Sequence, residues 1–379
     1  MNPKTAVRVL IAITLAPLMA IPAYNLREPP AREYALRLIK EKKTQRLQSL
    51  LFNADFVLAE LSRLTWRLGW SIDPNKAIVG KDAWLFLGDK YAGNLSAHRQ
   101  GQSVDDSRLA AKISVNLLSW ERWLHQQGVR GFALVIGPDK HRVYRQYLPD
   151  WVNQGRPPRI SGLVNGVASR LVCDPGPELA RQSQAGLYPT YYRSDTHWNL
   201  WGAAISVDLL RHTLEGQGLK LSWQMPDPVA TGLINKRSGG DLAGFLRIPA
   251  PIEEPDPLPL VYNTNHIQSV IRDLNTNEVL HADGYGQLQF PRQIVHVVTK
   301  GAANPLKVLW LRDSFGIGQS PLFSAHFEET IQIHWGWALG DKAEKLVELV
   351  RDHRPDIVIM TIVERAVMSD LLLTPPPQN

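Results

Sequence analysis

Residues that together can perform nucleophilic catalysis stand in two short stretches of this chain. Asp195 and His197 lie two residues apart in the stretch SDTHW (194–198), and Ser314 lies in the stretch LRDSFG (311–316). On an extended backbone, side chains two residues apart project from the same face, so Asp195 can accept the Nδ1 proton of His197 and leave Nε2 free. A histidine held in this way can deprotonate a serine. The two stretches therefore predict a Ser–His–Asp site.

The serine follows an apolar run of strand length, VLWL (308–311), and precedes Gly316. This order predicts a sharp turn at the end of a strand, where open α/β sheets carry their catalytic groups. A backbone N–H at or just after Ser314 is expected to donate into an oxyanion hole. A hydrogen-bonded structural histidine and an ordinary turn remain the alternatives for the two stretches.

The pattern along the rest of the chain alternates between strands and helices from Trp84 onward. Strands separated by helices are typical of a mainly parallel sheet with helices on both faces. The segment from Leu260 to Val298 has short alternating runs between turn residues, which predicts a β-rich insertion. Strands are predicted at 84–87, 132–136, 308–311 and 357–361, and helices at 104–127, 341–353 and from after His197 through Thr213.

The N-terminus has the order of an export signal. Lys4 and Arg8 precede an apolar run from Val9 to Ala23, and no further charge occurs before Arg27. The run is short for a membrane span, which usually needs about 20 apolar residues. We favour an uncleaved anchor over a cleaved signal peptide. Beyond it, leucines recur at helical spacing from about 30 to 70 and predict a pair of amphipathic helices.

Composition indicates a folded protein without nucleic-acid features. The chain has 379 residues, of which 44% are hydrophobic and 21% charged, so a large core is available and wholesale disorder is excluded. The net charge of +6 suits an acidic polysaccharide or anionic lipid headgroups as well as an ordinary solvated surface. No dense basic block or nucleic-acid motif is present. The single cysteine, Cys173, excludes an intrachain disulfide.

Several sequence blocks together resemble the alginate O-acetyltransferase family of AlgJ and AlgX type. The blocks are GKDAWLFL (80–87), GPDK (137–140) with YLP (147–149), DTHW (195–198), GGDL (239–242), RDSF (312–315) and PDIVI (355–359) leading to Glu364 and Arg365. In that family the Asp-x-His pair precedes the serine, as it does here. The resemblance implies an SGNH-hydrolase-like domain with Asp195, His197 and Ser314 as its triad.

The resemblance and the composition together give the predicted organisation. The fold class is α/β and SGNH-hydrolase-like, with a mainly parallel sheet, a β-rich insertion and an N-terminal anchor and helical segment. The predicted ranges are an anchor or signal peptide at 1–26, a helical juxtamembrane segment at 27–77, the catalytic domain at 78–370 with the insertion at 249–300, and a tail at 371–379.

Four further residues are weaker candidates for substrate binding or the oxyanion hole. Arg365 can reach the site or form an ion pair with Glu364, and Gly240 can supply a backbone donor or begin a helix with Asp241 as its N-cap. Trp335 can line an acceptor groove or pack in the core. Tyr144 can touch substrate or belong to the end of a strand.

A metal site is the rival chemical interpretation. Asp-x-His also opens the metal site of calcineurin-like phosphoesterases, and Gly240-Asp241 partly matches their second ligand block. Those enzymes also need a Gly-Asn-His block downstream, which this chain lacks. We therefore predict neither a metal nor another cofactor.

The predicted function is an O-acetyltransferase that passes an acetyl group through Ser314 to hydroxyls of an exported polysaccharide. The resemblance implies a membrane-bound O-acyltransferase as donor partner and a periplasmic location at the inner membrane. A carbohydrate acetylesterase and a non-catalytic polysaccharide-binding subunit of a secretion complex are the alternatives. The identity of the polymer stays open, because acceptor specificity depends on loops.

Overall fold

The computed structural model describes residues 3–152, 155–185, 188–248, 252–262, 264–282, 288–289 and 292–378. The chain divides into two compact units, Met1–Leu68 and Gly69–Asn379. The first unit is helical, and the second contains the sheets and the residues with predicted chemistry.

Four helices form the first unit: α1 (Pro3–Asn25), α2 (Pro29–Lys40), α3 (Thr44–Leu51) and α4 (Asp55–Arg67). Residues 30 to 70 therefore form three helices rather than the predicted pair, because Lys42 takes a left-handed conformation that ends α2. The side chain of Asn25 donates to the carbonyl oxygens of Leu51 and Asn53, at 2.9 Å each. The predicted membrane anchor is not confirmed, since no helix within the described residues is long and apolar enough to cross a membrane.

The second unit contains the remaining helices and all strands of the described residues. The helices are α5 (Asn94–Gln100), α6 (Val104–Gln126), α7 (Lys140–Val143), α8 (Ser161–Val164), α9 (Gly176–Ala185), α10 (Leu200–Glu215), α11 (Asp241–Phe245), α12 (Gly316–His326), α13 (Trp335–Leu339), α14 (Glu344–His353) and α15 (Glu364–Val367). The strands are β1 (Ala77–Val79), β2 (Leu85–Leu87), β3 (Gly131–Gly137), β4 (Val172–Cys173), β5 (Thr231–Ser238), β6 (Glu253–Pro259), β7 (Gln268–Asp273), β8 (Val279–His281), β9 (Val295–Lys300), β10 (Asn304–Arg312), β11 (Phe327–His334) and β12 (Ile357–Val363).

The main sheet has eight strands in the order β4-β3-β12-β10-β11-β9-β7-β8. The first five strands in this order pair in parallel, whereas β9, β7 and β8 add antiparallel pairs at one side. The sheet is thus mixed rather than mainly parallel. Strands between 268 and 300, which the sequence assigns to an insertion, extend this sheet.

Alternate residues of the central strands face two separate cores. On β3, Phe132 and Leu134 pack with α6 on one face, while Ala133 and Val135 pack with α10 on the other. Both faces are therefore covered by helices, as period-two side-chain alternation requires of a buried strand.

Two short ribbons lie outside the main sheet. Strands β1 and β2 pair antiparallel, and β5 pairs antiparallel with β6. The segment at 84–87, predicted as a strand of the domain, therefore belongs to a separate ribbon. Strand β5 carries Arg237, and α11 lies between β5 and β6 in the chain; both features reach the candidate site.

Candidate active site

Asp195 and His197 lie on a bent loop between Tyr191 and Trp198, whose backbones form an isolated bridge. The prediction placed this pair on extended backbone, but the loop bends so that Asp195 Oδ1 accepts from both the backbone N–H of His197, at 3.0 Å, and its ring. Helix α10 begins just beyond, capped by Asn199, whose side chain accepts from the N–H of Gly202 at 2.9 Å. The helix start fixes where the loop ends.

Lys140, at the start of α7, fixes this loop through three hydrogen bonds. Its buried ammonium donates to the carbonyl oxygens of Tyr192, Arg193 and Asp195 at 3.1, 3.1 and 2.6 Å. Burial lowers the pKa of Lys140 to about 8, although the charges of Asp195, Asp241 and Glu254 oppose the shift. These three hydrogen bonds fix the loop to the carboxyl end of β3.

The nucleophile turn follows β10. The buried carboxylate of Asp313 accepts from the N–H groups of Phe315 and Val363 at 2.9 and 2.7 Å, which ties the turn to the end of β12. The indole of Trp198 donates to the carbonyl oxygen of Phe315 at 3.0 Å. The turn and the Asp–His loop are thus connected directly by a hydrogen bond. They lie more than a hundred residues apart in sequence, and the parallel sheet brings them together at one edge.

The three predicted triad residues meet at hydrogen-bond distance. Ser314 Oγ lies 2.9 Å from His197 Nε2, and His197 Nδ1 lies 2.7 Å from Asp195 Oδ1. This arrangement matches the order nucleophile, base and orienting carboxylate. We call Asp195, His197 and Ser314 the catalytic cluster.

The electrostatics of the catalytic cluster favour an ionised aspartate. Burial favours the neutral acid of Asp195, but the hydrogen bond and charge of His197 and the guanidinium of Arg237 hold the pKa of its carboxyl well below its usual range. Burial lowers the pKa of His197, whereas the hydrogen bond and charge of Asp195 and the charge of Asp241 raise it above its ordinary value of 6.5. The ring is therefore a stronger base than a free histidine.

Two residues that the sequence did not mark as catalytic support Asp195. Arg237, on β5, donates to Asp195 Oδ2 at 3.1 Å and stacks on the ring of Tyr192 at 3.9 Å from its centroid. The backbone N–H of Asp241 donates to Asp195 Oδ2 at 3.4 Å, and the carboxylate of Asp241 accepts from the backbone and hydroxyl of Thr196, at 2.8 and 2.5 Å. Lys236 and Arg237 form a pair of adjacent basic residues, which is typical of a solvated surface. The local sequence therefore did not identify Arg237 as a site residue.

Gly240 has a different role from the predicted oxyanion donor. Its N–H donates to the hydroxyl of Ser194 at 2.9 Å and is therefore engaged. A Cβ at this position would lie 2.3 Å from Asp195 Oδ2, so only glycine allows this close approach to the aspartate. Gly240 is also the residue that caps α11, which places Asp241 at the first helical position rather than at the N-cap.

The backbone around the serine narrows the choice of oxyanion donor. The N–H of Phe315 donates to the Asp313 side chain, that of Gly316 to the Asp313 carbonyl at 3.2 Å, and that of Ile317 to the Ser314 carbonyl at 3.1 Å. Within the described residues, this leaves the N–H of Ser314 itself as the donor nearest to the nucleophile. A second donor is not identified.

The other weak candidates lie elsewhere. Tyr144 is 1% exposed, stacks on Trp84 at 4.3 Å and bonds through its hydroxyl to Thr190, so it packs the core rather than contacting substrate. Trp335 is 8% exposed and belongs to the core beside α14. The exposed tryptophan of α13 is Trp337.

Arg365 forms an ion pair, but with a different partner from the predicted Glu364. Its guanidinium lies 2.5 Å from Asp139, while Glu364 pairs with Arg142 at 2.7 Å. Arg142 also pairs with Asp174 at 2.6 Å. We call Asp139, Arg142, Asp174, Glu364 and Arg365 the ion-pair cluster.

A cavity of about 280 Å³ opens onto the catalytic cluster. Besides the triad, Arg237 and Asp241, its walls include Tyr192, Trp198, Leu200, Gln289, Phe315, Ile317 and Gly318. Gln289 is held there because buried Arg312 donates to its carbonyl oxygen at 2.7 Å. The lining therefore combines charged and polar side chains with apolar ones.

Three side chains at the site are close enough together to be considered as metal ligands. Ligand atoms of Asp195, His197 and Asp241 lie within 4.8 Å of one another. Each of these side chains already has a partner: His197 Nδ1 bonds to Asp195, and Asp241 Oδ2 accepts from Thr196. A cation placed among them would also meet the guanidinium of Arg237, so the donor set fits a hydrogen-bonded triad better than a metal.

The fold of the chain is that of the SGNH-hydrolase-like α/β proteins. PatB1 of Bacillus cereus superposes with a TM-score of 0.54 at 16% identity, covering 78% of this chain and 99% of that one. A DHHW family protein of Eubacterium siraeum gives 0.52 at 14% identity, covering 82% and 98%. The O-acetyltransferase domain of Pseudomonas putida AlgJ gives 0.43 at 17% identity, covering 79% and 93%.

The chain belongs to the family of the SGNH hydrolase-like domain of the acetyltransferase AlgX, which matches residues 77–275. The match contains Asp195 and His197 and ends before Ser314, so the position of the serine rests on the geometry. No curated protein matches the sequence.

Proposed function

We propose that this protein is a serine-dependent O-acetyltransferase that acts on an exported polysaccharide. The observation that carries the proposal is the hydrogen-bonded chain from Ser314 Oγ through His197 to Asp195, at 2.9 and 2.7 Å. Membership of an acetyltransferase family supports acetyl as the transferred group.

In the first half-reaction, Ser314 Oγ attacks the carbonyl carbon of the acetyl donor while His197 Nε2 takes the hydroxyl proton. Asp195 stabilises the imidazolium, and the N–H of Ser314 donates to the oxyanion. Collapse of the tetrahedral intermediate breaks the bond to the leaving group, which receives the proton from His197. An acetyl ester of Ser314 remains.

In the second half-reaction, a sugar hydroxyl enters the cavity and His197 removes its proton. The sugar oxygen attacks the acetyl ester, the bond to Ser314 Oγ breaks, and the serine regains its proton from His197. The products are the O-acetylated sugar and the free enzyme. Neither step consumes a metal or another cofactor, so activity is expected to survive treatment with a chelator.

The location and partners belong to the same proposal. The charged and then apolar N-terminus supports a periplasmic protein held at the inner membrane, although the anchor itself rests on the sequence pattern alone. The resemblance to AlgJ and AlgX supports a membrane-bound O-acyltransferase as the source of acetyl groups. The net charge of +6 is compatible with an acidic polymer as acceptor.

An acetylesterase would use the same catalytic cluster with water as the acceptor. To separate the two, the purified full chain is given an acetyl ester with and without oligosaccharide. We expect oligosaccharide to gain acetyl groups and to accelerate turnover of the ester. Acetate release that no sugar acceptor changes would instead establish an esterase.

A non-catalytic polysaccharide-binding subunit predicts a different result in cells. Ser314→Ala removes the nucleophile but leaves the surface of the protein intact. We expect polymer acetylation to be lost in cells that carry only this variant. Acetylation at the wild-type level would support the binding-subunit alternative.

A further inference from the structure

A second cavity, of about 370 Å³, lies beside the catalytic cavity and is lined almost wholly by apolar side chains. Leucine and proline side chains form most of its walls, and among the described lining residues Thr264 alone has a side-chain hydroxyl. We call it the apolar groove. Leu200, the first residue of α10, lines both the apolar groove and the catalytic cavity. The two spaces are therefore neighbours across one leucine.

Helix α12 runs from one space to the other. Ile317 and Gly318, just after the nucleophile, line the catalytic cavity, whereas Pro321 and Leu322 line the apolar groove. Four residues of α-helix advance about 6 Å, the length of a short alkyl chain. Helix α12, which begins two residues after Ser314, therefore lines both spaces.

Strand β5 of the β5–β6 ribbon also lines both cavities. Arg237 on β5 contacts Asp195 at the catalytic end, and Leu233, four residues earlier on the same strand, lines the apolar groove. Four residues of strand span about 13 Å. Strand β5 therefore has a charged side chain at the catalytic cavity and an apolar side chain at the groove.

We propose that the apolar groove binds the alkyl chain of acyl groups longer than acetyl, so that Ser314 accepts acyl donors with chains of about four to eight carbons. This inference rests on the proposed function, because it requires an acyl ester at Ser314. The carbonyl carbon bonds to Ser314 Oγ as before, the leaving group departs with the proton from His197, and the alkyl chain extends past Leu200 into the groove.

The acyl side of the donor fits the groove better than the leaving group does. An acyl chain stays bound through both half-reactions, so its pocket can remain filled throughout. The leaving group must vacate the catalytic cavity before an acceptor enters. A continuous apolar lining also suits an alkyl chain better than it suits a sugar, whose hydroxyls need polar partners.

The expected effect on turnover follows from burial of methylene groups. Each buried methylene contributes about fourfold to binding or to transition-state stabilisation. A hexanoyl group has four more carbons than acetyl, and partial burial of these carbons gives an expected gain of about tenfold or more in kcat/KM.

The test measures hydrolysis by the purified full chain of two ester series, one with acetyl to octanoyl chains on a constant alcohol and one with a constant acetyl on alcohols of increasing length. The groove variant is Leu260→Asp, and its control is Leu280→Asp, on β8. The two leucines are matched in exposure, at 38% and 42%. Leu233→Asp is the second groove variant, at a more exposed site that tolerates a charge.

We expect the wild type to prefer hexanoyl over acetyl by about tenfold. Leu260→Asp and Leu233→Asp should abolish this preference while acetyl turnover stays within about twofold, and Leu280→Asp should retain it. The proposal is overturned if chain length in the acyl series has no effect, if only the alcohol series responds, or if both aspartate variants and the control behave alike. Absence of any turnover that depends on Ser314 would overturn the proposed function as well, and so the two failures are distinguishable.

Discussion

The catalytic cluster and the ion-pair cluster occupy the same edge of the sheet and use similar residue types, yet only one of them joins a base to a serine hydroxyl. Asp139, Asp174, Glu364 and Ser314 all follow the carboxyl ends of parallel strands. In the ion-pair cluster each carboxylate meets a guanidinium, which remains protonated. In the catalytic cluster the carboxylate meets an imidazole, and the imidazole meets a hydroxyl.

Two histidines show the same difference. His141, on α7, is buried and has no hydrogen bond to a carboxylate of the described residues, and burial together with the charges of His98 and Lys140 lowers its pKa well below 6.5. His197 is held by Asp195, which raises its pKa. Burial alone therefore produces a weak base, and an adjacent ionised carboxylate produces a stronger one.

The largest expected effect comes from replacing each of these two histidines by glutamine in a separate variant. His197→Gln removes the base and should lower acyl transfer by about 10⁴-fold. His141→Gln should leave kcat/KM within about fivefold after correction for folded protein, since His141 does not contact the catalytic cluster. Steady-state kinetics with an acetyl ester, with thermal melts of both variants, measure the two effects. Equal losses of activity in two folded variants would break the comparison.

A matched pair of aspartates gives the next effect. Asp195→Asn keeps the shape but removes the charge that orients His197, and kcat should fall by about 10³-fold. Asp139→Asn breaks an ion pair with Arg365 and should lower the free energy of unfolding by about 3 kcal/mol, with a small change in kcat. Denaturant unfolding and kinetics of both variants separate stability from catalysis. If Asp139→Asn lost as much kcat as Asp195→Asn while remaining folded, the ion-pair cluster would belong to the catalytic machinery.

The pH dependence sharpens the comparison with a smaller effect. In the proposed mechanism the base is neutral His197, so acyl-enzyme formation should rise with pH and level off above a midpoint higher than 6.5. Each unit below the midpoint should cost about tenfold in rate. In Asp195→Asn burial has less opposition, so the midpoint should move to lower pH. Pre-steady-state rates between pH 5 and 9 give both midpoints, and a midpoint that stayed in place or rose in the variant would contradict the assigned role of Asp195.

The local sequence predicted the helices and strands that position the site. It predicted the arrangement of the strands in the sheet less well. The apolar run before Ser314 and the helical patterns around it correspond to β10, α6 and α10. The positions of β9, β7 and β8 in the sheet were not predictable, because a local pattern indicates that a segment is a strand but does not indicate which strand it will pair with. The mixed sheet is therefore a tertiary property.

The same limit applies to individual site residues. Trp335 and Trp337 are the same residue type in the same short segment, so the sequence does not distinguish them. The packing of α13 buries Trp335 and exposes Trp337. Arg237 reaches Asp195 because the β5–β6 ribbon folds against the loop, which no local pattern records. Gly240 was identified as important, but its contribution is the close approach to Asp195 rather than a donated hydrogen bond.

Intact-protein mass spectrometry after exposure to an acetyl ester tests the central claim most directly. Wild-type chain should gain the mass of one acetyl group, and peptide mapping should place it on Ser314. His197→Gln should slow this gain, and Ser314→Ala should abolish it while keeping the wild-type melting temperature. Acetylation of folded Ser314→Ala at the wild-type rate, or acetyl found on another residue of the wild type, would contradict a serine acyl-enzyme.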